Sequence, residues 1–136
     1  MAAAGFRAAA LALALACAAC TSVMADERTF DGTRWHVTAI DGRATPPTGD
    51  YDVQFTQNEI SGRFGCNGFG GRYAIVGDLM STGEIRSTMM ACAEPAMSFE
   101  RDGFAVLNRP MQMRWTSDRQ LILSNGAGSI DLQRVP

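Results

Sequence analysis

Apolar and polar residues alternate with a period of two along most of the chain, and each such run predicts a strand with one buried face. Trp35, Val37 and Ala39 alternate with Arg34, His36 and Thr38. Asp41-Gly42 marks a turn, and the proline-rich Ala44-Thr45-Pro46-Pro47 begins a loop. Tyr51, Val53 and Phe55 form a second set, and Ile60, Gly62 and Phe64 a third. The break at Gln57-Asn58 makes residues 51–64 a hairpin. Phe69, Gly71, Tyr73 and Ile75 continue the alternation beyond a glycine cluster. Near the end, Met111, Met113 and Trp115, then Leu121 and Leu123, then Ile130 and Leu132 predict a three-strand meander.

One interruption, between Ala93 and Arg109, has helical spacing. Ala96, Phe99, Gly103, Val106 and Leu107 fall on one stripe, which Met97 and Phe104 widen. Pro95 suits a first helical turn and Pro110 a stop. Gly103 costs such a helix up to about 1 kcal/mol relative to alanine, so its place on the apolar stripe predicts close contact with a sheet. These elements together predict an α+β domain, a strongly bent antiparallel sheet or partly open β-barrel of seven or eight strands with one packed α-helix.

The first 25 residues are read separately. Arg7 is followed by a short apolar run ending at Cys20, too short for a stable bilayer span and shaped like an export signal. Two processing sites compete. Val23-Met24-Ala25 suits ordinary cleavage before Asp26, whereas Ala18-Ala19-Cys20 resembles a lipoprotein box that would acylate Cys20, imperfectly so because Cys17 stands where leucine is usual. Both routes predict a periplasmic protein or an outer-membrane lipoprotein, with residues 26–136 as one domain.

Charge narrows the partners. All twelve basic residues are arginine; excluding Arg7, 11 remain against 14 acids, a formal charge of −3 on the mature part. With both signs interspersed there is no basic stripe for a phosphate backbone, so no nucleic-acid partner is expected.

The candidate chemistry centres on Gly65-Cys66-Asn67-Gly68-Phe69-Gly70-Gly71. A phosphate cradle would need a following helix and normally a lysine, and here the glycines run into strand-like sequence in a chain without lysine. The structural alternative is that Asn67-Gly68 supplies positive φ for a tight turn and that Gly65, Gly70 and Gly71 permit a bulge. Cys66 as a nucleophile would have to draw on His36, the one histidine of the chain, which alternates onto the outer face. Met89 and Met90 near Cys92 could begin a Cu(I) site, but Met111 and Met113 share a strand face with Trp115, where core packing accounts for them. No metal, cofactor or catalytic residue is therefore expected. In an exported domain, Cys66 and Cys92 are read as a disulfide whose loop of about 27 residues contributes roughly 3.5 kcal/mol on the chain-entropy model.

Cys66-Asn67-x-Phe69-x-Gly71-x-Tyr73, followed by Thr88-Met89-Met90-Ala91-Cys92 and then Glu100, Phe104 and Leu107, resembles the signature of the META domain family, which includes the HslJ-type heat-shock lipoproteins. Gly32-x-x-Trp35 matches that family's first strand and Leu121-x-Leu123 its closing ones. The resemblance covers roughly residues 30 to 134. It implies an exported or lipid-anchored domain, a partly open antiparallel barrel with a helix, a cysteine pair forming a disulfide, and a link to envelope stress without an established catalytic activity. The expectation is a monomeric, non-enzymatic envelope module acting through contacts with other envelope proteins. A second expectation, of another class, is a carrier that encloses a small apolar ligand such as a lipid chain.

Overall fold

A computed structural model describes residues 29–136. The expected export signal, its two processing sites and Cys20 lie outside the described residues. Ten strands and one helix follow in order: β1 (Thr33–Ile40), β2 (Arg43–Ala44), β3 (Tyr51–Thr56), β4 (Glu59–Phe64), β5 (Gly68–Val76), β6 (Leu79–Thr82), β7 (Arg86–Ser87), α1 (Ala96–Leu107), β8 (Met111–Ser117), β9 (Gln120–Asn125) and β10 (Gly128–Arg134).

Eight of these strands form a closed antiparallel barrel in the order β10-β9-β8-β6-β5-β4-β3-β1, closed by β1 on β10. The short strands β2 and β7 attach to β1 and β5. The predicted α+β barrel with one helix is thus the observed architecture. Residues 77–88 show no alternation, and there lie β6 and β7, whose short paired runs carry too few alternating positions to register.

Local chemistry explains most element boundaries. In β1 Thr33, Trp35, Val37 and Ile40 point inward, and the period breaks at Ala39 because a bulge faces β10 between Val37 and Ala39. The two-residue link Gln57-Asn58 joins β3 to β4 in continuous register. The glycine cluster behaves otherwise than its composition suggests. Positive φ falls on Gly65 (99°), not on Asn67-Gly68, and β4 and β5 run without a bulge from Glu59 opposite Arg72 to Arg63 opposite Gly68. The chain turns at Gly65 because only glycine takes that backbone conformation readily, and Gly70 and Gly71 lie in regular β5, where Gly71 has no room for a side chain beside Glu84. Pro95 is the N-cap residue, one position before the first helical residue Ala96.

Strand directions divide the barrel into two ends. At one, α1 packs against β10, β4 and β1. Phe99 meets the Tyr51 ring at 5.5 Å, and Phe104 meets Phe64 at 5.8 Å and Phe69 at 5.6 Å. Here β6 meets β8 through only two residue pairs, and the Thr82 hydroxyl donates to the Leu107 carbonyl at 2.6 Å, bracing the seam with the helix. At the opposite rim Phe30 fills the mouth, with its ring centroid 4.8 Å from Phe55 and 5.7 Å from Trp115. Between the ends lie Trp35, Phe55, Phe64, Ile60, Met80 and Met111, each at most 1% exposed.

Gly103 confirms the close approach expected of it, since a Cβ there would stand 2.5 Å from the Phe64 ring. Gly103→Ala gains up to about 1 kcal/mol in helix propensity but overpacks a filled interface at a cost of about 1–3 kcal/mol. Its urea midpoint is expected to fall, and a rise would mean that Phe64 yields without strain. Burial pushes both tyrosines, Tyr51 and Tyr73, above the usual phenol value, with the Asp31 charge adding to the rise at Tyr73. The unfolded chain therefore ionises first as pH climbs, and stability contributed by the neutral phenols is lost above about pH 10. Phenolate absorbance of the folded protein is expected to appear at higher pH than in denaturant; coincident curves would refute it.

Candidate functional site

The family-motif residues separate into two groups. Trp35, Phe69, Phe104 and Leu107 belong to the barrel interior and its helical cover, with Tyr73 packed against them. The indole N–H of Trp35 donates to Thr33 Oγ1 at 2.8 Å, and the Tyr73 hydroxyl donates to the Gln57 carbonyl at 3.2 Å. Gly71 stands against the backbone of Glu84, where the chain leaves β6 for β7.

The second group meets at the start of β5. Asn67 is 2% exposed, and every hydrogen-bonding site of its side chain is occupied. Oδ1 accepts from the Thr88 hydroxyl at 2.8 Å and from the Met90 N–H at 2.7 Å. Nδ2 donates to Glu100 Oε1 at 2.8 Å and to the Met90 carbonyl at 3.1 Å. The Asn67 backbone N–H donates to Glu100 Oε2 at 2.8 Å, so one asparagine joins the barrel, the loop after β7 and the helix. The orientation of the amide follows from these partners, because the reverse would set Nδ2 against the Met90 N–H.

Glu100 is the residue that spacing alone does not single out as buried. It is 8% exposed, and its two carboxylate oxygens accept from the backbone N–H and from one side-chain N–H of Asn67. A signal was present, since Glu100 lies between Phe99 and Gly103 on the apolar stripe, and an acid in that place needs internal partners. Cys66 and Cys92 lie at disulfide distance, their Cα atoms 6.2 Å apart, and fasten the same loop from the neighbouring residue. Glu94, before the helix, accepts from the hydroxyl and N–H of Ser98. The Ser98 hydroxyl bond holds its carboxyl below the usual range, with Arg101 and Arg43 helping. Glu94 therefore adds stability above the unfolded carboxyl value, and the contribution disappears as pH falls through its lower folded value.

The loop so fastened carries the most exposed apolar side chains near the cluster. Met89 is 94% and Met90 53% exposed, whereas Met80 and Met111 are buried opposite each other on β6 and β8. Among the described residues no three of His, Cys, Asp and Glu converge in a way that could hold a metal ion. His36 lies on the outer face of β1, opposite Asp52 of β3, and Cys66 is buried beyond the end of β4. The interior where an apolar ligand would sit is occupied by the core side chains. The grooves of about 510 and 400 Å³ open on the surface and are bordered by arginines and carboxylates such as Arg34, Arg119, Arg72 and Glu84.

The META domain profile matches residues 13–135 of the chain. An NMR structure of a protein from Burkholderia xenovorans is 24% identical, with a TM-score of 0.62, covering 78% of this chain and 83% of that one. A second NMR structure is 20% identical, with a TM-score of 0.67, covering 76% of this chain and 90% of that one. At these identities the likeness concerns the fold alone. No curated protein matches the sequence.

Asn67→Asp removes both Nδ2 donors and sets a second carboxylate against Glu100. The expected loss is about 2–4 kcal/mol at neutral pH, the range for unsatisfied buried groups with a charge among them. Part of it should be recovered on acidification, when one of the two carboxyls protonates. Urea denaturation at two pH values reads both effects, and a loss below about 1 kcal/mol would show that the loop and helix are held by other contacts.

Proposed function

The chain belongs to the META domain family, and from that membership we propose that it is an exported, non-enzymatic module of the bacterial cell envelope that supports stress tolerance through contacts with other envelope proteins. The observation that carries the reading is the occupied state of the groups a reaction would draw on. Cys66 faces Cys92 at disulfide distance, and Asn67 and Glu100 are bonded to each other and to the loop. A cysteine pair so placed suits an oxidising compartment and agrees with the apolar leader read in the sequence. The module is a monomer with no nucleic-acid partner, held at the membrane by acylation at Cys20 or free in the periplasm.

Its contact point is the loop that carries Met89 and Met90. Methionine is adaptable at binding surfaces, and here the backbone of Met90 is bonded at both N–H and C=O, so the thioethers stand out from a fixed support. Binding to such a preorganised loop avoids much of the ordering cost of a mobile one.

A photoreactive amino acid at Met89, introduced in growing cells, is expected to give a discrete adduct with an envelope protein, more abundant after heat shock. The same probe at His36 should not give it. Thiol titration of the denatured protein from the periplasm should find no free thiol at Cys66 or Cys92 before reduction. Equal labelling from both positions, or two free thiols, would overturn the reading.

A further inference from the structure

Of the six large apolar side chains exposed among the described residues, four stand on the rim opposite the helix: Ile75, Val76 and Leu79 on the β5–β6 hairpin, and Val135 after β10. Val76, at its tip, is 79% exposed. This hairpin is held in place, with Val76 paired to Leu79 and the Asp78 carbonyl accepting the Met113 N–H at 2.8 Å. Across the same rim, Arg34, Arg119 and Arg134 border the groove of about 510 Å³ together with Val135. Arg119 Nη2 donates to the Arg134 carbonyl at 3.1 Å, and the Arg134 guanidinium lies 5.9 Å from the Trp35 ring centroid. The described chain begins at this rim with Thr29 and Phe30, the latter filling its mouth.

We propose that this rim is a phospholipid-contacting face, on which Ile75, Val76 and Leu79 enter the bilayer interface and the three guanidiniums meet lipid phosphates. The proposal rests on the envelope reading above, in its acylated form. Cys20 precedes Thr29 by nine residues, a contour of at most about 30 Å, so an acyl anchor there would hold this rim, and not the helix end, towards the membrane. A lipid chain anchors more durably when a second contact acts with it, and a fixed apolar tip is such a contact. Asp52 already pairs with Arg34 at 3.8 Å, and Asp31, Glu59, Asp78 and Asp118 share the rim and offset the arginines further. Apolar insertion therefore dominates, and binding should depend only weakly on salt. Met89 and Met90, at the opposite end, would face away from the membrane.

The test uses the full chain purified from its own cells, as Val76→Trp and as Met89→Trp, mixed with vesicles of phosphatidylethanolamine and phosphatidylglycerol carrying brominated acyl chains. Emission added by Val76→Trp is expected to be quenched several-fold more than that added by Met89→Trp, with little change between 50 and 300 mM salt, on the order of the screening range. Val76→Asp, at a side chain exposed to solvent, should lower vesicle partition of chain lacking the acyl group by about 10-fold or more with an unchanged thermal midpoint. Equal quenching at both positions, or none, overturns the face. Mass measurement of the N-terminal peptide separates this from the anchor. Acylated chain without selective quenching removes the proposal and leaves the anchor standing. Unacylated chain with selective quenching removes the anchor and leaves the face standing.

Discussion

Asn67 is the joint on which the arrangement at the helix end depends. A buried amide must have both its donors and both its acceptor sites engaged, and this one meets the requirement with three residues from two separate parts of the chain. Two of those partners belong to a loop with almost no secondary structure of its own, and the third is a carboxylate on the helix. The loop and the helix are therefore positioned by the same side chain. Cys66, one residue earlier, repeats the connection through Cys92. A bond between these cysteines would limit the unfolded ensemble, while the amide specifies the native geometry, so the two would act on different sides of the folding equilibrium.

That joint matters because the barrel is weakest beside it. Most neighbouring strands pair over four or more residues, but β6 and β8 share two pairs. A short seam leaves apolar interior to be covered by something other than a strand. The helix closes this end against β10, β4 and β1, drawn in by Glu100 at one turn and by the absent side chain of Gly103 at the next, and reaches the seam where Leu107 accepts from Thr82. Electrostatics and packing support each other here: the carboxylate can lie buried because Asn67 meets it, and Asn67 stays in place because the helix is packed.

The two ends of the barrel differ in character, and the functional proposals follow from that difference. The helix end is fastened by polar bonds and displays Met89 and Met90 on a fixed loop. The other end is filled by an aromatic cluster around Phe30, bordered by arginines and topped by the apolar hairpin. A module oriented by the second end would present the first to its surroundings. Nothing in this division needs a reactive group, because binding at a surface requires only shape, exposed apolar area and a rigid support.

Periodicity alone determined β1, β3, β4, β5 and the three closing strands, though not β2, whose Ala44 reads as the start of a proline-rich loop, because a period of two has one structural meaning when one face is buried. The helical stripe from Ala96 to Leu107 and the close approach at Gly103 were equally legible, and the expected partners Cys66 and Cys92 do lie at disulfide distance. What the residues did not disclose was everything set by partners distant in the chain. Asn67 beside glycines looks like a turn residue, and only its burial against Glu100, 33 positions later, makes it a hub. Closure of the barrel by β1 on β10, the bulge at Ala39 and the gathering of Ile75, Val76, Leu79 and three arginines on one rim depend on strand stagger, which no local pattern encodes. Local sequence specifies which face of an element is apolar; the tertiary structure alone decides which polar group each buried donor will meet.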